Sequence, residues 1–246
     1  DFMKKFVIGD IHGGLKALVQ VLKKTNFNAE DTLIFLGDYA DGWSESPAVI
    51  DYLIALQQRQ KCIFIRGNHD QLLLEWLTNV NQNSDKSLWY LHGGDATVLS
   101  YQEINDTTKS KHITFLKSLQ DYYIDENNRL YLHAGFSNQR GVENEFFKPS
   151  FYWDRTLWEM VMALDKNLAT DSIFYPKRLK LYNEIFIGHT PVTYIGKEVP
   201  VNFANVWNVD TGAAFKGKLT IMDVASKEFH QSEPLPDLYP NEKGRN

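Results

Sequence analysis

Residues 62–70 read Cys62-Ile63-Phe64-Ile65-Arg66-Gly67-Asn68-His69-Asp70. The first four are apolar, which predicts a buried strand, and a helix-like pattern begins at residue 71. Asn68 and His69 are therefore predicted to lie on a strand-to-helix turn, a position where binding and catalytic groups are often found. This turn is our first candidate site.

Two upstream segments repeat the arrangement. Each is a short apolar run that ends in a glycine and continues with metal-binding residue types, Gly9-Asp10-Ile11-His12-Gly13 after residues 4–8 and Gly37-Asp38-Tyr39-Ala40-Asp41-Gly42 after residues 32–36. The spacing of apolar residues predicts helices at 15–24 and 47–58. Strands that alternate with helices indicate βαβ crossovers and a largely parallel sheet, whose functional loops gather at the carboxyl ends of the strands.

The second half of the chain adds two more strand ends of this kind. Residues 79–125 predict a helical excursion, and strands are predicted at 129–132, 184–187, 206–209 and 218–224. The first two of these strands are followed by His133 and His189. A single domain is predicted over 3–231, followed by a loose C-terminal tail at 232–246, because that segment is rich in prolines and charges.

The composition is that of an ordinary globular protein. The chain has 246 residues, a formal net charge of -5 and one cysteine. Its length suits one sizeable core, and its acidic balance argues against a nucleic-acid-binding surface, which is usually basic. A lone cysteine excludes an internal disulfide, and no apolar run approaches the ~18 residues of a membrane span. With no recognisable signal peptide, we expect a cytoplasmic protein with no membrane partner.

The strand ends together offer carboxylates, imidazoles and one amide, on Asp10, His12, Asp38, Asn68, His133 and His189. This donor set suits borderline ions such as Mn, Fe or Zn, and its lack of thiolates disfavours a structural zinc protein. Six ligands exceed the need of one catalytic ion with an open position, which favours two ions. Each residue alone has a plainer interpretation, since Asp often caps helices, Asn often occupies turns and His often packs in cores.

The ordered motifs resemble those of the calcineurin-like metallophosphoesterases. They are closest to the phosphoprotein phosphatase branch, which includes bacterial Ser/Thr phosphatases and symmetrical dinucleoside tetraphosphatases. The resemblance is carried by GDxHG from Gly9, GDxxD from Gly37, GNHD from Gly67, HAG from His133 and GHT from Gly188. It implies an α/β fold in which two mixed β-sheets pack as a sandwich flanked by helices, in a single domain.

The resemblance also implies a role for each matching residue. One metal ion would be bound by Asp10, His12 and Asp38, and the other by Asp38, Asn68, His133 and His189, which makes Asp38 the bridge. His69 would protonate the leaving group and Asp41 would orient it, while Asn68 would also contact the substrate phosphate. Two ions about 3.5–4 Å apart lower the pKa of a bridging water and clamp the phosphoryl oxygens during in-line attack.

Two positions depart from the family pattern. The arginine expected after GDxxD is replaced by Gly42, so a bidentate phosphate contact is missing there, and Asp70 stands where glutamate is more usual. Other candidates for substrate contact are Arg155 in a Trp-x-Arg pattern, Arg66, and Trp43 as a stacking face. Arg66 has a structural alternative, pairing with a carboxylate such as Asp41, and Trp43 has one as a shielding tryptophan. We interpret His92 as a structural or surface residue.

The predicted function is dinuclear-metal-dependent hydrolysis of phosphate esters by in-line attack of a metal-bridging hydroxide. Mn²⁺ is the first expectation, with Fe or Zn as alternatives. A Ser/Thr-phosphatase-like activity on phosphorylated proteins is expected first, and hydrolysis of dinucleoside polyphosphates is the alternative. An alternative of another class is a non-catalytic binding scaffold, favoured by the loss of the arginine at Gly42 and opposed by the complete ligand set.

Overall fold

The computed structural model describes residues 3–80 and 85–246. Its strands are β1 Lys5–Ile8, β2 Thr32–Phe35, β3 Lys61–Phe64, β4 Tyr122–Ile124, β5 Arg129–Leu132, β6 Glu184–Ile187, β7 Val201–Phe203, β8 Val206–Asn208, β9 Thr220–Asp223 and β10 Phe229–Gln231. Its helices are α1 Leu15–Lys24, α2 Ser46–Leu56, α3 Asn68–Leu77, α4 Ser87–Trp89, α5 Asp95–Ser100, α6 Asp106–Ser118, α7 Ser150–Trp153, α8 Thr156–Ala163 and α9 Leu235–Leu238. A kinked segment, Tyr90–Gly94, joins α4 to α5 and has non-helical backbone angles at His92 and Gly93.

The strands of the described residues form two mixed sheets of five, in the orders β10-β9-β1-β2-β3 and β4-β5-β6-β8-β7. Parallel pairing joins β1 to β2 and β2 to β3 in the first sheet, and β5 to β6 and β6 to β8 in the second. The remaining pairs are antiparallel. The predicted sandwich of two mixed sheets is confirmed, and the parallel centre of each sheet directs several strand ends to the same edge.

Alternating side chains divide the core into three apolar layers. Val7, Ile34, Tyr131 and Phe186 belong to one cluster, which lies between the two sheets, and the rings of Tyr131 and Phe186 stack with centroids 5.0 Å apart. Neighbouring positions on the same strands face outward, against α1, α2, α3 and α6 on the first sheet and against α7 and α8 on the second. This period-2 pattern is what two half-buried faces per strand require.

The helical excursion predicted at 79–125 contains the helices α4 to α6. Its residues 81–84 lie outside the described part of the chain. No helix in the described ranges is both long enough and apolar enough to cross a membrane. The three-residue strands β4, β7 and β10 were not predicted. Each has exposed or half-buried side chains, so its sequence lacks the apolar run that reveals an inner strand.

The segment 232–246 is not a loose tail. Leu235 in α9 and Tyr239 are buried, and Tyr239 stacks on Trp43 with ring centroids 5.2 Å apart. Ser44 donates its backbone N–H and its hydroxyl to Glu242 at 3.0 and 2.7 Å. The prediction from proline and charge content was wrong because a few apolar side chains suffice to hold a short segment against a preformed core.

Candidate metal centre

Five turns at the carboxyl ends of parallel strands bring the predicted ligands together. Asp10 and His12 follow β1, Asp38 follows β2, Asn68 starts α3 after β3, His133 follows β5 and His189 follows β6. All six residues are buried. The turns belong to both sheets, so the site lies across one end of the sandwich.

Asp38 is at the centre of this cluster. Its Oδ2 atom lies 3.4 Å from His12 Nε2 and 3.3 Å from His133 Nε2. Two groups of potential ligand atoms, each within 4.8 Å of one another, share this residue: His12, Asp38 and His69 form one, and Asp38, His133 and His189 the other. A carboxylate common to two adjoining groups has the position that a bridging ligand needs.

Asn68 and Asp10 complete the cluster. Asn68 Oδ1 lies 3.2 Å from His133 Nε2 and 3.0 Å from His189 Nδ1. Asp10 Oδ2 lies 3.8 Å from His12 Nε2 and accepts the backbone N–H of His189 at 3.1 Å, so Asp10 also ties the first sheet to the second. Asp10 is at the margin of the cluster and belongs to neither of the two closest groups.

Backbone carbonyls orient two of the imidazole rings. The Nδ1–H of His12 donates to the carbonyl oxygen of Asp41 at 2.9 Å, and the Nδ1–H of His133 donates to that of Leu36 at 2.8 Å. Each bond occupies Nδ1, so the Nε2 atom of both rings points towards Asp38. Hydrogen bonds of this kind are usual behind metal-ligating histidines, because they set ring orientation and raise ligand basicity.

Glycines make the close approach of these turns possible. A Cβ on Gly67 would lie 2.1 Å from Asp38 Oδ1, and a Cβ on Gly188 would lie 2.1 Å from Asp10 Oδ1. Asp38 itself has a positive φ of 54°, as do His12 and His189 with 52° and 67°. Backbone strain of this kind clusters at functional sites, where the surrounding structure imposes it.

Buried charge shapes the protonation of the cluster. Burial lowers the pKa of both His12 and His189, which keeps the rings neutral, the form in which imidazole binds metals. Burial opposes a charge on His133 as well, but Asp38 and Asp10 raise its pKa to about 10. Burial works against the Asp38 carboxylate, yet His133 and His69 hold its pKa well below the usual range. The cluster therefore attracts positive charge.

The residues fit a pair of cations. His189 Nε2 is buried and has no hydrogen-bond partner in the described part of the chain, an arrangement that costs free energy unless a ligand satisfies it. The set of carboxylate, imidazole and amide donors is chemically suited to borderline divalent ions. Three features together indicate metal binding rather than helix capping or core packing. They are the unpartnered Nε2 of His189, the oriented rings of His12 and His133, and the carboxylate of Asp38 that both groups share.

His69 belongs to the group that contains His12 and Asp38, and its ring is held by Asp41. His69 Nδ1 donates to Asp41 Oδ2 at 2.6 Å, and the indole N–H of Trp89 donates to the same oxygen at 2.6 Å. The hydroxyl of Thr97 donates to the other oxygen of this fully buried carboxylate. With Nδ1 engaged, Nε2 is the ring nitrogen of His69 that remains free for proton transfer.

Asp70 is a structural residue of the site. Its carboxylate accepts backbone N–H groups from Asp38, Tyr39 and Gly67, each at 2.8 Å. It thereby connects the turn after β2 with the turn after β3. The shorter carboxylate in place of glutamate fits this fully buried position.

Comparison with known proteins decides the family. The family model of the calcineurin-like phosphoesterases matches residues 3–212. The chain belongs to the calcineurin-like phosphoesterase family. With its relatives, this membership makes it a metal-dependent phosphoric ester hydrolase, as the sequence predicted.

The curated relatives of this phosphoesterase include two kinds of hydrolase. It is 29% identical over 231 residues to the asymmetrical bis(5'-nucleosyl)-tetraphosphatase PrpE of Anoxybacillus flavithermus, with 88% of each chain covered. It is 26% identical to serine/threonine-protein phosphatase 1 of Salmonella typhimurium, with 88% of this chain and 89% of the relative covered. A solved serine/threonine phosphatase from Saccharomyces cerevisiae superposes with a TM-score of 0.57 at 17% identity, covering 94% of this chain and 80% of the other. The structural likeness shows the fold.

A cavity of 340 Å³ opens onto the cluster of candidate metal ligands. Asp38, Asn68, His69 and His189 form part of its lining, and Arg155 stands at the same wall. Among the sequence-predicted substrate contacts outside the metal cluster, Arg155 is the one that the structure places in this cavity. Trp153, two residues before it, is 47% exposed and lies edge-on to His189, with ring centroids 6.2 Å apart.

Trp43 does not face the cavity, so its predicted stacking on a substrate was wrong. Its side chain is fully buried, and its indole N–H donates to the carbonyl oxygen of Ala213 at 2.7 Å. The structural alternative for this tryptophan is correct, and its aromatic partner is Tyr239. An apolar ring with no exposed face cannot stack on a ligand.

Arg66 is also directed away from the cavity. It donates to the Gln71 side chain at 2.9 Å and to the Leu119 carbonyl at 3.1 Å, and its Nε lies 3.6 Å from Asp121 Oδ1. The guanidinium is thus occupied by neighbouring protein groups. Its carboxylate partner is Asp121 and not Asp41, which binds His69 instead.

Sequence reasoning missed several residues at the site. Arg245, from the segment predicted to be loose, lines the cavity, and so does His92, which was expected to be structural or on the surface and is exposed. Buried Asp210 follows β8 and lies near enough to Asp10 for its charge to raise the pKa of that carboxyl further, after burial itself. A signal for Asp210 was present, because it too follows a predicted strand and precedes a glycine-containing turn.

Proposed function

We propose that two metal ions are held by this cluster, one by Asp10, His12 and Asp38 and the other by Asp38, Asn68, His133 and His189. Mn²⁺ is the first expectation, with Fe or Zn as alternatives. The shared position of Asp38 between two histidine groups supports the pairing. The mixed donor set supports this group of metals, because it includes imidazoles as well as hard oxygen ligands.

The observation that carries the function is the hydrogen-bonded pair of His69 and Asp41. His69 lines the cavity onto which the candidate metal ligands also open. When bound, the two ions lower the pKa of the attacking water and offset charge on the phosphoryl oxygens. His69 is positioned to protonate the departing oxygen, since its Nδ1 is fixed by Asp41 and its side chain lines the cavity. Arg155 is placed to bind phosphoryl oxygens at the same wall.

For the substrate, we propose a nucleoside polyphosphate of the dinucleoside tetraphosphate class. Trp153 and Tyr194, 47% and 64% exposed, stand at the cavity and offer flat faces to a base. Two guanidinium groups, of Arg155 and Arg245, line the same cavity and suit a chain of phosphates. The tetraphosphatase relative supports this substrate class.

A phosphoserine or phosphothreonine protein is the second candidate. Leu88 lines the cavity and is 64% exposed, so an apolar residue beside a phosphorylated side chain would find a contact there. The serine/threonine phosphatase relative supports this reading. A cytoplasmic location, predicted from the sequence, fits either substrate.

The test is turnover by the Mn²⁺-loaded protein of diadenosine tetraphosphate and, in parallel, of a phosphoserine peptide. A higher kcat/KM on the dinucleotide supports the first candidate, and its nucleotide products identify which anhydride bond is cleaved. A higher value on the peptide would replace it with the second. Inactivity on both, with metal bound, would favour the non-catalytic scaffold.

His69→Asn separates catalysis from metal binding. We expect bound metal to stay at the wild-type ratio while kcat falls by about 10²–10⁴, the usual contribution of a general acid. His230→Asn is the matched control, because His230 is exposed on β10 and does not line the cavity. Equal activity of the two variants would remove His69 from the mechanism.

A further inference from the structure

The replacement of the family arginine by Gly42 leaves a space that another part of the chain fills. A Cβ added to Gly42 would lie 3.2 Å from Arg245 Cγ, and a Cβ added to Gly93 would lie 3.0 Å from the same atom. The two glycines adjoin, since the Gly42 N–H donates to the Gly93 carbonyl at 3.1 Å. Together they form a slot in which the stem of Arg245 lies.

The guanidinium of Arg245 is directed to the catalytic cavity. Arg245 lines that cavity together with Asn68, His69 and Arg155. Its Cζ lies 5.2 Å from the centre of the Phe215 ring, a cation–π contact that holds the head group without consuming its donors. Its Nε is buried and has no hydrogen-bond partner in the described ranges.

Burial and the positive charge of Arg245 both lower the pKa of two histidines at the candidate site. Burial is the main cause of the lowered pKa of His92, and the positive charge of Arg245 is the next. At His12, burial again comes first and Asp38 opposes it, while Arg245 lowers the pKa further. A charge that acts on His92 in the cavity lining and on His12 in the ligand cluster would also act on a phosphate bound near them.

The segment before Arg245 is anchored by the residues that follow Gly42. Trp43 stacks on Tyr239, and a Cβ on Gly244 would lie 2.6 Å from Trp43 Cζ2. The backbone N–H of Arg245 donates to the Ala214 carbonyl at 2.8 Å. The chain therefore departs from the family motif at two consecutive positions. Gly42 leaves the slot open, and Trp43 holds the segment whose Arg245 side chain fills it.

We propose that Arg245 binds the substrate phosphate, supplying from the C-terminal segment the guanidinium that the family motif places at position 42. This inference rests on the proposed phosphohydrolase function. It brings one residue of the segment 232–246 into the active site, and it explains how the chain combines a complete set of candidate metal ligands with the loss of the motif arginine.

The test compares Arg245→Gln, Arg245→Lys and a matched control, Arg140→Gln, whose residue is exposed and does not line the cavity. Inorganic phosphate is the probe, titrated calorimetrically into each Mn²⁺-loaded protein. We expect Arg245→Gln to raise the Kd for phosphate about tenfold or more, Arg245→Lys to raise it less, and Arg140→Gln to match the wild type. A thermal melt of each variant confirms that it is folded.

Steady-state kinetics with p-nitrophenyl phosphate give the second readout. We expect Arg245→Gln to raise KM by a similar factor, because the lost contact is made to a group present in the bound substrate. A folded Arg245→Gln protein with unchanged phosphate Kd would overturn the proposal, and so would a fall in kcat alone. If no phosphate ester is turned over, the proposed function fails, but the phosphate titration still decides whether Arg245 binds the anion.

Discussion

The carboxylate of Asp70 accepts the backbone N–H of Asp38 at 2.8 Å, and so couples the turn that carries His69 to the turn that carries the proposed bridging ligand. The same carboxylate accepts two further N–H groups, from Tyr39 and Gly67. A carboxylate accepts at both oxygens, whereas an amide presents a donor at one of them. The position of Asp38 therefore depends on having a carboxylate, and not an amide, at residue 70.

Asp70→Asn is expected to loosen metal binding without removing a ligand. An amide cannot accept all three N–H groups, and leaving a buried donor unsatisfied costs about 1–3 kcal/mol of stability. We expect a lower free energy of unfolding and a weaker Mn²⁺ affinity, measured by urea denaturation and by calorimetry. Asp165→Asn is the control, since Asp165 is exposed and accepts the backbone N–H of Asn167 within its own turn. Unchanged Mn²⁺ affinity in Asp70→Asn would show that Asp38 is positioned by its other contacts.

Trp89→Phe is expected to reduce kcat while metal content stays constant. The variant keeps an aromatic ring but removes the N–H that donates to Asp41 Oδ2 at 2.6 Å. A hydrogen bond to a buried charged group contributes about 1.5–3 kcal/mol, so we expect kcat to fall about tenfold or more as Asp41 holds His69 less firmly. Trp207→Phe, on β8 and outside the cavity lining, serves as the control. If both variants retain wild-type kcat, the Trp89 contact has no part in orienting His69.

The parts of the molecule that were predicted correctly share one property: the sequence pattern that indicates each of them spans only a few neighbouring residues. Each inner strand is an apolar run, and each predicted ligand follows one within a few residues, so the site emerged from the order of the motifs. Trp43 was left open between two interpretations because its partner, Tyr239, lies near the other end of the chain. Arg245 has no motif around it, and its role depends on a slot formed by two glycines that only the fold brings together.

Metal is expected to stabilise the sandwich, because its proposed ligands come from both sheets. An ion that binds only the folded state at 100 times its Kd adds about 2.7 kcal/mol to the free energy of unfolding. We expect Tm to rise with added Mn²⁺ and to fall after chelation. In His133→Ala the Tm should respond much less to Mn²⁺, whereas His230→Ala should respond as the wild type does. A His133→Ala protein with the full Mn²⁺-dependent rise would exclude His133 as a ligand.

Trp43 is expected to act on the substrate only through the C-terminal segment. Trp43→Phe keeps a ring against Tyr239 but loses the N–H bond to Ala213. We therefore expect a stability loss of about 1 kcal/mol and little change in the phosphate Kd.

Trp43→Ala removes the stacked ring and should lower the free energy of unfolding by about 3–5 kcal/mol. Because Gly244 packs on this ring, the alanine variant should also release Arg245 and raise the Kd for phosphate. A folded Trp43→Ala protein with wild-type phosphate affinity would show that the segment holds Arg245 in place without Trp43. A direct role in stacking would instead make Trp43→Phe and Trp43→Ala alter KM for the dinucleotide while leaving phosphate affinity unchanged.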